Sequence, residues 1–184
     1  MLAVATGVIQ PPRSSSVFHQ MIFAAALAAF LFSAASPARP QSSPQASIDE
    51  LRLKVHESPS DPLAHYQLAV ALYHQGRMSG AAQEFQKALE LRPDLAEARN
   101  DLGIIWGQEG KPQEALQEFQ EAVKLNPHYF EARYNLALAL LRAGKPEFAA
   151  EVTRQGLEED SHWFWGYYAL GLALDRAGQL DDAQ

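Results

Sequence analysis

The chain has 184 residues, is 47% hydrophobic and carries 15 basic against 22 acidic side chains. This length and apolar content suit one domain with a substantial core, or a short stack of similar units. A net charge of −7 without any basic run disfavours contact with phosphate backbones, so we expect no nucleic-acid partner. The absence of cysteine excludes disulfides, thiol nucleophiles, Cys-ligated zinc and thiol-linked lipids or haem.

An apolar run at residues 21–32 follows Arg13 and precedes several small residues. The run is short for a bilayer span but typical of the core of a signal peptide. Cleavage after Ala35 or after Ala38 fits the small residues, and we predict a signal peptide over residues 1–38. The alternative is an uncleaved membrane anchor. We therefore expect export to the periplasm or the cell exterior, with membrane attachment only if the segment is retained.

Residues 39–47 are rich in Pro, Ser and Gln and have almost no side chains to bury, which predicts a disordered linker. Ser47 and Glu50 have the spacing of a capping box. The apolar residues that follow predict a short capping helix over residues 48–58.

The remaining sequence repeats with a period of 34 residues, and its apolar spacing is helical. A leucine followed by Ala or Gly recurs at Leu68, Leu102, Leu136 and Leu170. Eight positions later stand Gly76, Gly110, Gly144 and Gly178, which we expect to end the first helix of each pair. Helix starts are predicted at Asp61-Pro62, Pro112 and Pro146.

This pattern resembles the tetratricopeptide repeat (TPR) family. The first repeat carries Leu68-Ala69, Leu72, Ala81, Phe85, Ala88 and Pro93, and the second carries Leu102-Gly103, Trp106, Ala115, Phe119, Ala122 and Pro127. The resemblance implies an all-α fold, a right-handed α-solenoid of helix-turn-helix repeats with a short N-terminal capping helix. The predicted repeats are 62–95, 96–129 and 130–163, followed by a truncated fourth repeat at 164–184.

The third repeat departs from the pattern because Thr153 stands where Phe85 and Phe119 stand, and Gly156 replaces an alanine. We expect its second helix to be the weakest. Five aromatic residues lie within residues 162–168. They predict either a contact patch for a partner or, as we favour, a filling for the space that Thr153 and Gly156 leave.

The resemblance also implies that a peptide or protein segment binds in the concave groove lined by the first helices. The matching positions in this sequence are Tyr66, Val70, His74, Asn100, Ile104, Tyr134, Asn135, Leu138, Arg142, Tyr168, Leu172 and Arg176. We expect the aliphatic row to bind apolar side chains, Asn100 and Asn135 to bond a peptide backbone, and Arg142 and Arg176 to pair with acidic groups. The alternative is that these residues are ordinary repeat consensus with no ligand.

The sequence predicts no catalytic, cofactor or metal site. The six histidines include no pair at four-residue spacing, and Gly110-Lys111-Pro112 lacks the other residues of a phosphate loop. We therefore expect a non-enzymatic scaffold or adaptor. Two alternatives stay open, a substrate-recruiting N-terminal part of a larger enzyme and a membrane-anchored assembly factor.

Overall fold

A computed structural model describes residues 48–181, which form helices and short turns without a strand. The helices are α1 (Ile48–Glu57), α2 (Pro62–His74), α3 (Met78–Leu91), α4 (Ala96–Gln108), α5 (Pro112–Leu125), α6 (Phe130–Arg142), α7 (Pro146–Glu159) and α8 (Phe164–Asp181). Each helix packs against the next one in the chain, and the first helices α4, α6 and α8 also contact one another in sequence. The predicted all-α solenoid is confirmed, whereas the boundaries between repeats stay predictions.

The predicted signal peptide and linker, including Ser47 of the capping box, lie outside the described residues. Within the described part, no helix has both the length and the apolar character that a membrane span requires.

The helices begin where the sequence predicts. The Asp61 carboxylate accepts a hydrogen bond from the Leu63 backbone N–H at 2.9 Å, and Pro62 occupies the first helical turn of α2. Pro112 and Pro146 stand in the first turns of α5 and α7. Proline is favoured at this position because the backbone N–H that it lacks would have no partner within the helix.

A glycine reverses the chain direction after each of the helices α2, α4 and α6. Gly76, Gly110 and Gly144 have φ angles of 73°, 75° and 68°, as predicted for the residue after a helix C-terminus. At the first turn, the Gly76 N–H bonds the Tyr73 carbonyl at 2.8 Å and the Arg77 N–H bonds the Leu72 carbonyl at 2.9 Å. These bonds satisfy carbonyls in the last turn of the helix, which have no helical N–H four residues further on.

The corresponding prediction for Gly178 is wrong, since α8 runs through this residue to Asp181. A glycine permits a left-handed turn but does not enforce one. In the first three pairs the turn is stabilised by the packing of the returning helix, and no described helix follows α8.

The two helices of a pair approach closely at a small residue. In the second pair, a Cβ atom placed on Gly103 would lie 2.8 Å from the Phe119 ring. In the first pair, Ala69 and Phe85 belong to the same buried core cluster. The core continues as a second cluster from α5 to α8, and Trp106 packs against both clusters.

The third pair keeps its helices together by a different packing arrangement. Thr153 is fully buried and its hydroxyl donates to the Ala149 carbonyl at 2.7 Å, within α7. The buried Trp163 ring fills the neighbouring space, because a Cβ atom on Gly156 or on Gly166 would lie 2.6 Å or 2.2 Å from this ring. One of the predicted aromatic residues therefore does compensate for the small side chains of α7.

We predict that Gly103→Leu lowers the free energy of unfolding by about 1–3 kcal/mol, since the new side chain overlaps the Phe119 ring. Gly107→Leu is the matched control in the same helix, because Gly107 is exposed and an added Cβ would meet only Ala115, at 3.9 Å. Thermal and urea unfolding of the full chain measure both variants. Equal stability of the two variants would contradict the packing described for α4 and α5.

Candidate functional site

The twelve predicted binding residues lie at recurring positions of the first helices α2, α4, α6 and α8. We call this set of residues the groove face. His74, Arg142 and Arg176 are exposed, and Asn100 is fully buried. The other members are partly buried: Tyr66, Val70, Ile104, Tyr134, Asn135, Leu138, Tyr168 and Leu172. Most of the groove face therefore presents half-exposed apolar and aromatic surface.

Hydrogen bonds join consecutive first helices across the N-terminal part of the groove face. The Tyr66 hydroxyl donates to Asp101 Oδ2 at 3.1 Å, and Asn135 Nδ2 donates to Asn100 Oδ1 at 2.9 Å. Both pairs are 35 residues apart, which is one repeat plus one position. The same separation recurs where Gln108 Nε2 donates to the Tyr73 hydroxyl at 3.0 Å.

The two asparagine side chains thus bond to each other, and Asn100 does not face outward. Asn100 Nδ2 also reaches the Tyr129 hydroxyl, at 3.4 Å. We expected Asn100 to bond a peptide backbone, but its side chain has no exposed surface through which to do so. The Asn100 side chain instead contributes to the contact between consecutive repeats.

The series of hydrogen bonds ends at Tyr134. The residue 35 positions after it is Ala169, whose side chain is apolar and buried. The Tyr134 hydroxyl has no hydrogen-bond partner among residues 48–178. Instead, the Tyr134 ring contacts Trp165 with 5.6 Å between the ring centroids.

Trp165 is the centre of an aromatic cluster that adjoins the groove face at Tyr134 and Tyr168. Its ring lies 5.5 Å from that of Phe164 and 6.3 Å from that of Tyr168, edge to face in both cases. Phe164 and Trp165 are 49% and 47% exposed, so each side chain keeps about half of its surface exposed, although Trp165 contacts Tyr134 of the third pair. Of the two predictions for residues 162–168, Trp163 fulfils the packing role, while Phe164 and Trp165 present aromatic surface.

Burial raises the pKa of the Tyr134 hydroxyl, the neighbouring Tyr168 raises it further, and the Arg142 guanidinium lowers it in part. The Tyr134 hydroxyl is therefore protonated at neutral pH and available as a hydrogen-bond donor. Arg142 and Tyr168 both lie close enough to act on it electrostatically.

A second periodic feature, a set of side-chain bonds to backbone carbonyls, was not predicted from the sequence. Four residues at 34-residue spacing each bond the backbone carbonyl six positions earlier, and we call them the anchor residues: His65, Arg99, Arg133 and Tyr167. His65 and Arg99 also bond a glutamate 19 positions later, Glu84 at 2.7 Å and Glu118 at 3.0 Å. All four anchor residues bond the start of a first helix to the preceding turn, and His65 and Arg99 also bond it to the second helix of the pair.

Arg133 also bonds its second helix and a glutamate, but the glutamate stands at a different position of the repeat. Valine replaces glutamate 19 positions later, and the guanidinium donates to the Val152 carbonyl at 3.3 Å instead. The carboxylate comes from Glu159, whose Oε1 lies 2.9 Å from the buried Arg133 guanidinium. Glu159, which stands where the other repeats have leucine, neutralises this cation.

No group of three or more potential metal ligands occurs in the part of the chain that the structure describes. The chemistry available on the groove face is hydrogen bonding, aromatic contact and the positive charge of its arginines.

Sequence profiles for the tetratricopeptide repeat match residues 45–96 and 108–164, which together make up more than half of the chain. The chain belongs to the tetratricopeptide repeat family. A comparison with curated protein sequences gives no significant match.

Several solved structures are similar to this chain in fold at low sequence identity. The MamA protein is 20% identical with a TM-score of 0.66, over 91% of this chain and 85% of its own. YrrB, described as a TPR protein with an unusual peptide-binding site, is 21% identical with a TM-score of 0.64, over 74% and 71%. The first TPR of Spaghetti (RPAP3), bound to the HSP90 peptide SRMEEVD, is 19% identical with a TM-score of 0.60, over 64% and 94%.

We predict that Asn135→Ala lowers the free energy of unfolding by about 1–3 kcal/mol, because it leaves the buried Asn100 oxygen without its donor. Gln83→Ala, at an exposed position of α3, should change stability by less than about 0.5 kcal/mol. Urea unfolding measures both. An Asn135→Ala protein as stable as the Gln83→Ala protein would show that the amide pair does not hold the TPR units together.

Proposed function

We propose that this TPR protein is a non-catalytic interaction scaffold that binds a peptide or protein segment on its groove face. The observation that carries the proposal is that each first helix has a partly buried aliphatic side chain at the same position of the repeat. These residues are Val70, Ile104, Leu138 and Leu172. Further support comes from the peptide-binding TPR structures to which the fold is similar.

The C-terminal half of the groove face is the better candidate for direct contact. On α2 and α4 the tyrosine and amide groups are already bonded within the chain. On α6 and α8, half-exposed tyrosines and Trp165 present apolar area with polar edges, a combination enriched where proteins bind one another.

Peptide-phage selection on the immobilised full chain tests the proposal, followed by calorimetric measurement of the enriched peptides. We predict that Leu138→Asp weakens their binding at least tenfold, because it places a charge in the aliphatic row. Leu53→Asp is the matched control, since Leu53 on α1 is 57% exposed and lies outside the groove face. Circular dichroism establishes that both variants keep their helices.

Selected peptides that bind wild type and Leu138→Asp equally would refute the groove face as the binding site. Failure to enrich any binding peptide would count against a peptide-binding scaffold altogether.

We also propose that the scaffold acts outside the cytoplasm, in the periplasm or beyond, on the strength of the apolar run at residues 21–32 and the small residues after it. Expression of the full chain in a bacterium, followed by fractionation and N-terminal sequencing, tests this. We predict a mature protein in the periplasmic fraction that begins at Ser36 or Arg39. Recovery of the intact chain in the membrane fraction would favour the membrane-anchored alternative.

A further inference from the structure

Four aromatic side chains on α6 and α8 form a connected cluster with exposed ring surface. Trp165 contacts Tyr134, Phe164 and Tyr168, with 5.5 to 6.3 Å between the ring centroids. The Trp165 ring stands at 53°, 77° and 89° to these three rings, so no pair is stacked face to face. Phe164 and Trp165 are about half exposed, and both tyrosines are partly buried. We call these four residues the aromatic cluster.

The polar groups of the aromatic cluster are hydrogen-bond donors. The hydroxyls of Tyr134 and Tyr168 and the indole N–H of Trp165 form no hydrogen bond with any residue from 48 to 178. Burial raises the pKa of Tyr134, so its hydroxyl keeps its proton at neutral pH. An indole N–H can only donate. A ligand that is rich in carbonyl oxygens and poor in N–H groups therefore complements the cluster.

A proline-rich segment has this chemistry. Each proline supplies a carbonyl oxygen, lacks a backbone N–H and carries an apolar ring. Aromatic-lined grooves bind such segments in the polyproline II conformation, which is already formed before binding. One turn of this helix is about 9 Å long, so a single turn can contact more than one ring of the cluster.

An exposed negative charge stands beside the aromatic cluster. Glu131 lies three residues before Tyr134, which is one turn away on the same side of α6. It forms no ion pair with any residue from 48 to 178. Arg142, at the other end of α6, lies eleven residues after Glu131, which is roughly 16 Å along the helix. The Glu131 end of the cluster therefore favours a basic residue in the ligand.

We propose that the aromatic cluster binds a proline-rich segment of a protein partner in the polyproline II conformation, with a basic residue of that segment beside Glu131. The proline rings pack on Trp165 and its neighbours, and the proline carbonyls accept hydrogen bonds from the tyrosine hydroxyls and the indole. This proposal rests on the proposed function, that the groove face binds a protein segment, and adds the chemistry of that segment.

Four capped synthetic peptides test this on the full chain. The arginine–proline peptide, acetyl-GRPPPPRG-amide, carries an arginine at each end, so that either direction of binding places one near Glu131. The alanine peptide, acetyl-GRAAAARG-amide, lacks the prolines. The glutamine–proline peptide, acetyl-GQPPPPQG-amide, has no charge, and the glutamate–proline peptide, acetyl-GEPPPPEG-amide, has the opposite charge.

Nuclear magnetic resonance titration follows the tryptophan indole N–H signals. Trp165 reports on the site, while Trp106, which lies under Lys111, serves as the internal control. We predict that the arginine–proline peptide shifts the Trp165 signal and binds at least tenfold more tightly than the alanine peptide. It binds several-fold more tightly than the glutamine–proline peptide, and added salt removes this second difference because the attraction between exposed charges is screened.

Substitution of one ring tests the aromatic contact. Trp165→Leu should weaken binding of the arginine–proline peptide at least tenfold, measured by calorimetry, because it removes the central ring of the cluster. Phe148→Leu is the matched control, since Phe148 on α7 is 64% exposed and lies outside the aromatic cluster, and it should leave binding unchanged. Circular dichroism establishes that both variants keep their helices.

Substitution of the carboxylate tests the charge separately. Glu131→Gln should weaken binding of the arginine–proline peptide several-fold and leave binding of the glutamine–proline peptide unchanged. Damage to the fold would weaken both peptides, so this selective loss identifies a direct effect of the charge. Glu151→Gln, at an exposed position of α7, is the matched control and should affect neither peptide.

The outcomes separate this inference from the proposed function. Equal binding of the arginine–proline and alanine peptides, no Trp165 response at millimolar peptide, or an unchanged affinity in Trp165→Leu would each overturn the proline-rich site. A glutamate–proline peptide that binds as tightly as the arginine–proline peptide would overturn the basic residue beside Glu131. If phage-selected peptides still lose affinity in Leu138→Asp, the groove face remains the binding surface for a different class of segment. If they do not, the proposed function itself fails.

Discussion

The contact between the two helices of each pair is the constraint on which the rest of the fold depends. A small residue in the first helix allows the returning helix to approach, as at Gly103 and the Phe119 ring. This close packing fixes how far each helix is rotated about its own axis, and therefore which of its residues face the next pair. Only with that register fixed do side chains 35 positions apart meet across consecutive first helices.

The same register divides the groove face into two chemically different halves. Tyr66 and Asn100 find partners in the following repeat, and their bonds stabilise the stack. The Ala169 side chain offers no hydrogen-bonding group, and the Tyr134 hydroxyl has no partner among residues 48–178 while its ring contacts Trp165. One difference in the repeat pattern thus removes a hydrogen bond between repeats, and we propose that the groups left without it serve recognition.

Local rules and the 34-residue period were enough to predict the helices, their starts at Asp61-Pro62 and their ends at Gly76, because these depend on neighbouring residues. The burial of Asn100 depends on distances between repeats, which the sequence does not contain. The anchor residues were not predicted because His, Arg and Tyr make equivalent hydrogen bonds but are different residue types. The turn predicted at Gly178 is wrong because a glycine permits a left-handed turn without enforcing one, and α8 runs through this residue.

The most direct test of the central proposal, that recognition belongs to the C-terminal half of the groove face, is a crystal structure of the full chain with a bound phage-selected peptide. We predict peptide density across α6 and α8, with an apolar side chain against Leu138 and Leu172 near Trp165. A peptide bound along α2 and α4, or on the second helices α3, α5 and α7, would contradict the claim.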